Sequence, residues 1–434
     1  MKHSKSIQIQ PVKTLKAEVT VPGSKSYTQR ALVTASLACG SSILENVLLS
    51  EDTLHFIDAL KSLGVAISFQ DGRIFIEGTG GCLKLPGYPM NLGNNGTAMR
   101  FLASLVSLGR GKVILTGEDR LCERPIRPLM ECLGQLGVTF RYRNLDGFPP
   151  VEIQANGLKG GSLRIRNAES SQYISSLLLA APYAGGPVTI DLEGGRGIVS
   201  RPYIGMTLQV MEDFGVKVRT TGQDSYTVPG NTAYEGRPYF VEGDASSASY
   251  FFLAAMLCRG VIRVHNLNPK SRQGDLKLID ILKDWGAEVI CGKNWVEVRG
   301  HGMKAGDLAV DMGDMPDMVP TLAVLSAFRA GITEIRRVSH LRIKESNRLA
   351  ALVAELGKMG VQTREGEDHL IVFGGHPLHG AVIDTYNDHR IAMSFAAAGL
   401  AVPGIIIENP RCVDKSFPDF WRVFENLATG LHED

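Results

Sequence analysis

Eight cations stand where a helix would begin: Lys25 and Arg30 in PGSKSYTQR, Arg100 closing LGNNGTAMR, Arg124 in ERPIRP, Lys344 and Arg348 in RIKESNR, Arg390 in NDHRIAM and Lys415 in DKSFPDF. Two carboxylates share such segments, Asp317 in DMPDMVPT and Glu345 in KESNR. The whole chain carries only +1, so this local excess of positive charge points to a strongly anionic ligand or pair of ligands. Helix N-termini present free N–H groups and a partial positive charge, which makes them ready anion sites. Carboxylates set among cations gain little structurally, so Asp317 and Glu345 read as general acid/base groups, although Asp317 also fits a helix cap. Lys25 and Arg30 have the alternative of solvated cations on an ordinary capped helix. In LGNNGTAMR, Asn94 and Gly96 belong to a glycine-rich turn whose backbone forms an anion nest. Ser170, Ser171 and Gln172 offer neutral donors, or caps. Cys122 reads as inert packing rather than a nucleophile. The histidines show no metal spacing, and His376 and His379 flank a proline in a turn.

These segments must be positioned by something regular, and the sequence supplies it. Ser26, Thr97, Ser171, Ser246, Asp317 and Asp388 are equivalent points of a unit that recurs six times, at steps of 71, 74, 75, 71 and 71 residues. A fixed period of this size signals copies of one supersecondary unit. Each copy opens with a small polar turn and an apolar helix, followed by a β-branched strand such as KVILTGE or VIRVHNL. An amphipathic helix follows. Leu349, Leu352, Val353, Leu356 and Met359 make one stripe, and Leu278, Ile281, Leu282 and Trp285 another. Gly64, Gly137, Gly215, Gly286 and Gly360 stop five of these helices. Gly430 falls where the sixth should stop. The last copy is cut short, and IQIQPVKTLKAEVTVPG near the start, which alternates like strands, is expected to complete it. This gives two domains, 22–241 with repeats one to three, and 1–21 plus 242–434 with repeats four to six, joined by two short crossovers near Pro22 and Glu242. Arg124 is expected in a loop, with the proline after it opening a helix.

With 434 residues and 44% hydrophobic content the chain has enough apolar material for two cores. A net charge of +1 gives nonspecific nucleic-acid binding little support. The longest apolar runs are too short for a membrane span, and MKHSKSIQIQ lacks the apolar centre of a secretory signal. Seven cysteines, odd in number and without CxxC pairing, fit a reduced cytoplasmic protein better than a zinc site.

Taken together, PGSKSYTQR, LGNNGTAMR, ERPIRP, ESSQY, SRPY, GDASSASY, PDM, KESNR, NDHRIAM and KSFPDF resemble, in order and spacing, the 5-enolpyruvylshikimate-3-phosphate synthases, over nearly the whole chain. The resemblance implies a two-domain inside-out α/β barrel of six βαβαββ-type repeats, three per domain. It implies transfer of the enolpyruvyl group of phosphoenolpyruvate to the 5-hydroxyl of 3-phosphoshikimate, with phosphate released through a tetrahedral ketal, on the route to chorismate. It also implies no metal or organic cofactor, and a cytoplasmic monomer with small-molecule substrates and no nucleic-acid or membrane partner. Carried over by motif, Lys25, Ser26, Arg30, Ser170, Ser171, Gln172, Ser200, Tyr203, Asp317, His340 and Lys344 would meet phosphoshikimate. Lys25, Asn94, Gly96, Arg124, Gln172, Arg348, Arg390 and Lys415 would meet phosphoenolpyruvate. Asp317 would take the hydroxyl proton, and Glu345 with Lys25 would manage the methylene proton. Some relatives have Ala at Asn95, Pro at Phe101, Asn at His340 and Asp at Asn347. Two alternatives stand beside this reading. One is the sister family that transfers enolpyruvyl to UDP-N-acetylglucosamine, which commonly uses a loop Cys farther from its RP dipeptide than Cys122 is from Arg124. The other is a noncatalytic polyanion-binding repeat protein.

Overall fold

The computed structural model describes residues 5–166, 170–193 and 199–429; Gly430, expected to end the sixth amphipathic helix, lies outside them. The six apolar helices are Lys25–Leu37, Gly96–Val106, Ser171–Ala180, Ala245–Leu257, Val319–Phe328 and His389–Gly399. They are buried on every side. All residues from Tyr27 to Leu37, from Ala245 to Met256 and from Val319 to Ala327 are buried, as expected of helices with no polar face. The second helix of each repeat buries one face only. In Arg348–Lys358, Leu349, Leu352 and Leu356 point inward while Ala350 and Lys358 are exposed. The five expected stops, Gly64, Gly137, Gly215, Gly286 and Gly360, all have φ between +88° and +111°, the left-handed cap that glycine adopts without a Cβ clash.

Among the described residues the strands form five four-stranded sheets and one three-stranded sheet. In the second repeat, Arg110–Thr116 pairs in parallel with Met90–Asn91 and antiparallel with Val151–Asn156, which pairs with Thr139–Tyr142. The first and fourth repeats exchange their parallel strands. Lys16–Thr20, which precedes the first apolar helix, pairs with Val261–His265 of the fourth repeat. Pro238–Phe240, which precedes the fourth, pairs with Ser41–Glu45 of the first. The N-terminal stretch thus divides between two sheets, because Ser6–Gln8 pairs antiparallel with Ile406–Glu408 of the sixth repeat.

The chain forms two compact units: a central unit, Lys25–Val241, and a terminal unit, Met1–Ser24 with Glu242–Asp434. Each has its own apolar core. Within each, the three apolar helices touch one another and the sheets lie outside them, an α/β barrel turned inside out. Small polar side chains let the inner helices meet: Ser104 Oγ lies 2.6 Å from Ser176 Oγ, and Ser249 Oγ lies 3.0 Å from Thr321 Oγ1. One local expectation is corrected. Pro125 does not open a helix; a single turn, Asp119–Cys122, precedes Arg124, and the next helix begins at Arg127 with Pro128 in its first turn. The proline at N2 suits a first turn better than Pro125 does, because Ile126 still has a non-helical backbone.

Candidate active site

In the central unit, three helix entrances are tied together by Asp52 and Asn95. Asp52 sits in the first turn of the Glu51–Ser62 helix, which Ser50 and Thr53 close with a capping box. Lys25 Nζ donates to Asp52 Oδ2 at 2.9 Å. Asn95 caps Gly96–Val106 by accepting from the Ala98 N–H at 2.9 Å, and its Nδ2 donates to the Asp52 carbonyl at 2.7 Å. Asn94 lies in the turn just before. The bare Cα of Gly96 lets the Arg124 guanidinium rest on this entrance: a Cβ there would meet its atoms at 2.5–2.6 Å. The Arg124 loop is pinned at the Pro125 carbonyl, which accepts from Arg100 Nη2 at 2.7 Å and from the Tyr173 hydroxyl at 2.8 Å. Arg100 also donates to the Gly96 carbonyl. It therefore clamps the backbone at both carbonyls.

Arg30 is 2% exposed and is held by neutral acceptors alone among the described residues. Nε donates to Thr207 Oγ1 at 2.8 Å, Nη1 to the Ser26 carbonyl at 2.9 Å, and Nη2 to Ser175 Oγ and the Tyr203 carbonyl at 3.3 and 3.1 Å. The guanidinium also lies over the Phe101 and Tyr203 rings. Burial pulls its pKa down to about 10 against the pull of Tyr203, so it stays charged at neutral pH. At the entrance of Ser171–Ala180, Ser170 Oγ accepts from the Gln172 N–H, and Gln172 Nε2 donates to Thr97 Oγ1 at 3.1 Å. Ser200 precedes the Arg201–Asp213 helix at φ +60°. Cys122 Sγ makes a weak contact with the Gly117 carbonyl at 3.6 Å.

In the terminal unit Arg348 and Arg390 are held by carboxylates. Arg348 is 1% exposed. Its Nε donates to Asp388 Oδ2 at 2.8 Å, Nη1 to Asp317 Oδ1 at 2.9 Å and Nη2 to Glu345 Oε2 at 2.8 Å. Arg390 donates from Nη2 to Asp317 Oδ2 at 2.8 Å and from Nη1 to the Tyr250 hydroxyl at 3.2 Å. Asp388 also caps His389–Gly399 through the Arg390 N–H and accepts from Ser346 Oγ. Asp317 thus bridges two arginines. Burial alone would raise its pKa, but Arg390, Arg348 and Lys344 hold it far below the usual carboxylate range. Lys415 ends the Pro410–Lys415 turn and is buried. His340 is 5% exposed, and neither ring nitrogen has a hydrogen-bond partner among the described residues. Burial, then Lys344 and Arg348, lower its pKa to about 3, so the ring is neutral, with one donor and one acceptor to offer.

Sequence reasoning leaves out Asp52 and Asp388 as counter-ions. The eight-to-two balance of cations and carboxylates is corrected accordingly. Asp388 enters that reading only as a register mark, yet it stands 71 residues after Asp317, and this equivalence is the signal that marks it. Asp52 carries no signal beyond that of an ordinary first-turn acid.

A family model described as EPSP synthase (3-phosphoshikimate 1-carboxyvinyltransferase) matches residues 9–424. The chain belongs to the EPSP synthase family. Relatives named 3-phosphoshikimate 1-carboxyvinyltransferase include one from Syntrophobacter fumaroxidans, 43% identical over 97% of this chain and 99% of that protein. Another, from Sulfurovum sp., is 40% identical over 98% and 99%. A solved EPSP synthase from Acinetobacter baumannii superposes with a TM-score of 0.80 at 28% identity, covering 98% of both chains. That likeness carries the α/β repeat fold as well as the family. EPSP synthase membership favours the shikimate reading over the UDP-N-acetylglucosamine and polyanion-binding alternatives. Among the described residues no helix is long and apolar enough to cross a membrane.

Proposed function

We infer that this chain transfers the enolpyruvyl group of phosphoenolpyruvate to the 5-hydroxyl of 3-phosphoshikimate, releasing phosphate, as a step of chorismate and aromatic amino-acid biosynthesis. Beyond family membership, the observation that carries the chemistry is the Arg348–Asp317–Arg390 bridge. A carboxylate held by two guanidiniums is a weak base. When the phosphate and carboxylate of phosphoenolpyruvate recruit Arg348 and Arg390, with Arg124, Lys415, Gln172, Asn94 and the Gly96 entrance, Asp317 loses its counter-ions. Its basicity rises as the substrate arrives. It then accepts the proton of the 5-hydroxyl while the oxygen attacks C2 of phosphoenolpyruvate. The double-bond electrons take a proton onto C3 from Glu345 acting with Lys25, which gives the tetrahedral ketal phosphate. Elimination reverses the C3 transfer and breaks the C2–O bond to phosphate, and the hydroxyl proton leaves with the phosphate. Cations already in place stabilise the departing charge without reorganising.

Phosphoshikimate falls to Ser26, Arg30, Ser170, Ser171, Ser200, Tyr203, Lys344 and the neutral imidazole of His340, with the two compact units as the enzyme's two domains. The same reading makes the protein a cytoplasmic monomer, and size-exclusion chromatography tests the monomeric state. The deciding assay is phosphate release that requires both phosphoenolpyruvate and 3-phosphoshikimate. No release with that pair, or release with UDP-N-acetylglucosamine in its place, would refute the assignment.

A further inference from the structure

Glu355 takes no part in the site described above, yet its carboxylate is fully buried. It lies seven residues after Arg348 on the same face of the Arg348–Lys358 helix, and both side chains point inward. Between them they grip one turn, from Asp384 to Asp388. Arg348 Nε donates to the Asp388 carboxylate, at the end of the turn. Glu355 takes the start: Oε2 accepts from the Asp384 N–H at 3.1 Å, and Oε1 accepts from the Tyr386 hydroxyl at 2.8 Å. Lys358 compensates the buried charge, its Nζ donating to Oε2 at 2.8 Å and to the Val382 carbonyl at 3.2 Å. Within the turn the Tyr386 N–H donates to Asp384 Oδ1, and Asn409 Nδ2 donates to Asn387 Oδ1. Glu355 adds the contact from the helix that carries Arg348.

The turn needs holding. Tyr386 and Asn387 have φ of +52° and +53°, a left-handed conformation that a residue with a Cβ keeps only where its surroundings enforce it. Two such residues in a row set the direction in which the chain enters His389–Gly399. Asp388 follows at once, its N–H donating to the Thr385 carbonyl at 2.7 Å, and Arg390 stands two residues on. We propose that Glu355 is a positioning residue: by fixing Asp384 and Tyr386 it keeps the left-handed turn wound, and so holds Asp388, Arg348 and Arg390 in register for phosphoenolpyruvate. This rests on the reading that both arginines receive that substrate. When they turn from Asp317 to the substrate, Asp388 still anchors Arg348 through Nε. The place of the turn therefore decides where the recruited guanidinium stands.

Glu355→Ala removes the grip on the start of the turn. The KM for phosphoenolpyruvate should rise about tenfold. Phosphoshikimate affinity, read by calorimetry, should be nearly kept, since Ser170, Ser171, Ser200 and Tyr203 belong to the other unit. Tyr386→Phe keeps the ring and loses one hydrogen bond, so it should raise the same KM about threefold. Tyr386 is 39% exposed, so this variant tests the grip in a folded protein even where Glu355→Ala unfolds. Combined with Glu355→Ala it should add little, because the bond it removes is already gone. Glu355→Gln can still accept from the Asp384 N–H and donate to the Tyr386 hydroxyl, so it should keep KM near the wild-type value. A group needed for stability alone predicts otherwise: less active enzyme, with both KM values unchanged. Hydrogen exchange is a readout independent of turnover. The amides of 384–388 should exchange faster in Glu355→Ala than in the wild type, and Glu355→Gln should slow them again. Equal losses for both substrates, a kcat that falls at unchanged KM, a Gln variant no better than Ala, a Tyr386→Phe effect that multiplies that of Glu355→Ala, or unchanged exchange would each overturn the proposal. Wild-type phosphate release run alongside separates the two ideas. If the wild type turns over the substrate pair while the variants fail these tests, the inference alone falls; if the wild type does not, the functional reading falls and takes this inference with it.

Discussion

In the central unit Asn95 and Ser170 cap the Gly96–Val106 and Ser171–Ala180 helices with neutral oxygens. In the terminal unit Asp244 and Asp388 cap theirs with carboxylates, and Asp317 stands in the turn before Val319–Phe328. The repeat is the same and so is the helix dipole, yet what satisfies each entrance differs. Neutral caps leave the positive end of the dipole to whatever anion arrives. Acidic groups bring the anion with them and hold the arginines in place: Arg348 meets three carboxylates, whereas buried Arg30 meets none among the described residues. The contrast separates two ways of preparing a cation for a substrate. Arg30 is preorganised by hydroxyls and carbonyls, and Arg348 and Arg390 are preorganised by carboxylates that a substrate anion can replace.

Breaking the acidic side at its centre should have the largest effect. Asp317→Ala removes a carboxylate shared by Arg348 and Arg390 and, on the proposed mechanism, the proton acceptor. We expect kcat to fall about 10³-fold, within the span of roughly 10² to 10⁴ for a general base, while calorimetry shows phosphoshikimate affinity nearly kept. Affinity that collapses alongside high residual turnover would make Asp317 a binding residue instead.

Asp388→Asn tests the structural half of the same contrast. Asn can still cap His389–Gly399, so helix propensity changes little. Arg348, fully buried, loses a paired charge. Removing one partner of a buried ion pair costs about 3 kcal/mol, to be read from urea unfolding. A change below about 1 kcal/mol would show that Asp317 and Glu345 suffice to hold Arg348.

How far these groups could be found from sequence follows from how local their causes are. The apolar helices and the glycine stops were legible because all-round hydrophobicity and a left-handed cap are properties of a few consecutive residues. The exchange of Lys16–Thr20 and Pro238–Phe240 between sheets was not legible, since both strands alternate alike and nothing local names a partner. The place of Arg100 at an entrance was legible, but not that its guanidinium donates to the Gly96 and Pro125 carbonyls. Asp52 carries no motif that sets it apart. Its role arises from burial and from neighbours far along the chain, Lys25 and Asn95.

On the neutral side, Gly96→Ala should act through contact rather than charge. Its Cβ would come 2.5 Å from the Arg124 guanidinium. Arg124 must shift, and its loop is pinned at Pro125. We expect the KM for phosphoenolpyruvate to rise about tenfold, roughly 1.4 kcal/mol, with phosphoshikimate affinity unchanged. Equal losses for both substrates would mean that the whole entrance had moved.

The smallest expected effect comes from installing the terminal unit's chemistry in the central one. Asn95→Asp keeps the acceptor for the Ala98 N–H, and Asn and Asp cap about equally well, so the Gly96–Val106 helix should hold. What changes is the second bond and the sign of the entrance. The Nδ2 donor to the Asp52 carbonyl is lost, and a carboxylate appears between Asp52 and the turn on which Arg124 rests. That carboxylate offers Arg124 an internal anion, as Asp317 does for Arg390. A substrate anion must then displace a competitor that the neutral cap never presented. Because the substrate anion offers the same guanidinium a charge of its own, only the difference between the two anions counts; we expect it to be about 1 kcal/mol, a loss of roughly fivefold in phosphoenolpyruvate affinity, shrinking as salt screens the new charge. An Asn95→Asp enzyme that binds phosphoenolpyruvate as the wild type does, at low and high salt alike, would show that the neutrality of the central entrances has no bearing on anion capture, and that the difference between the units is one of packing alone.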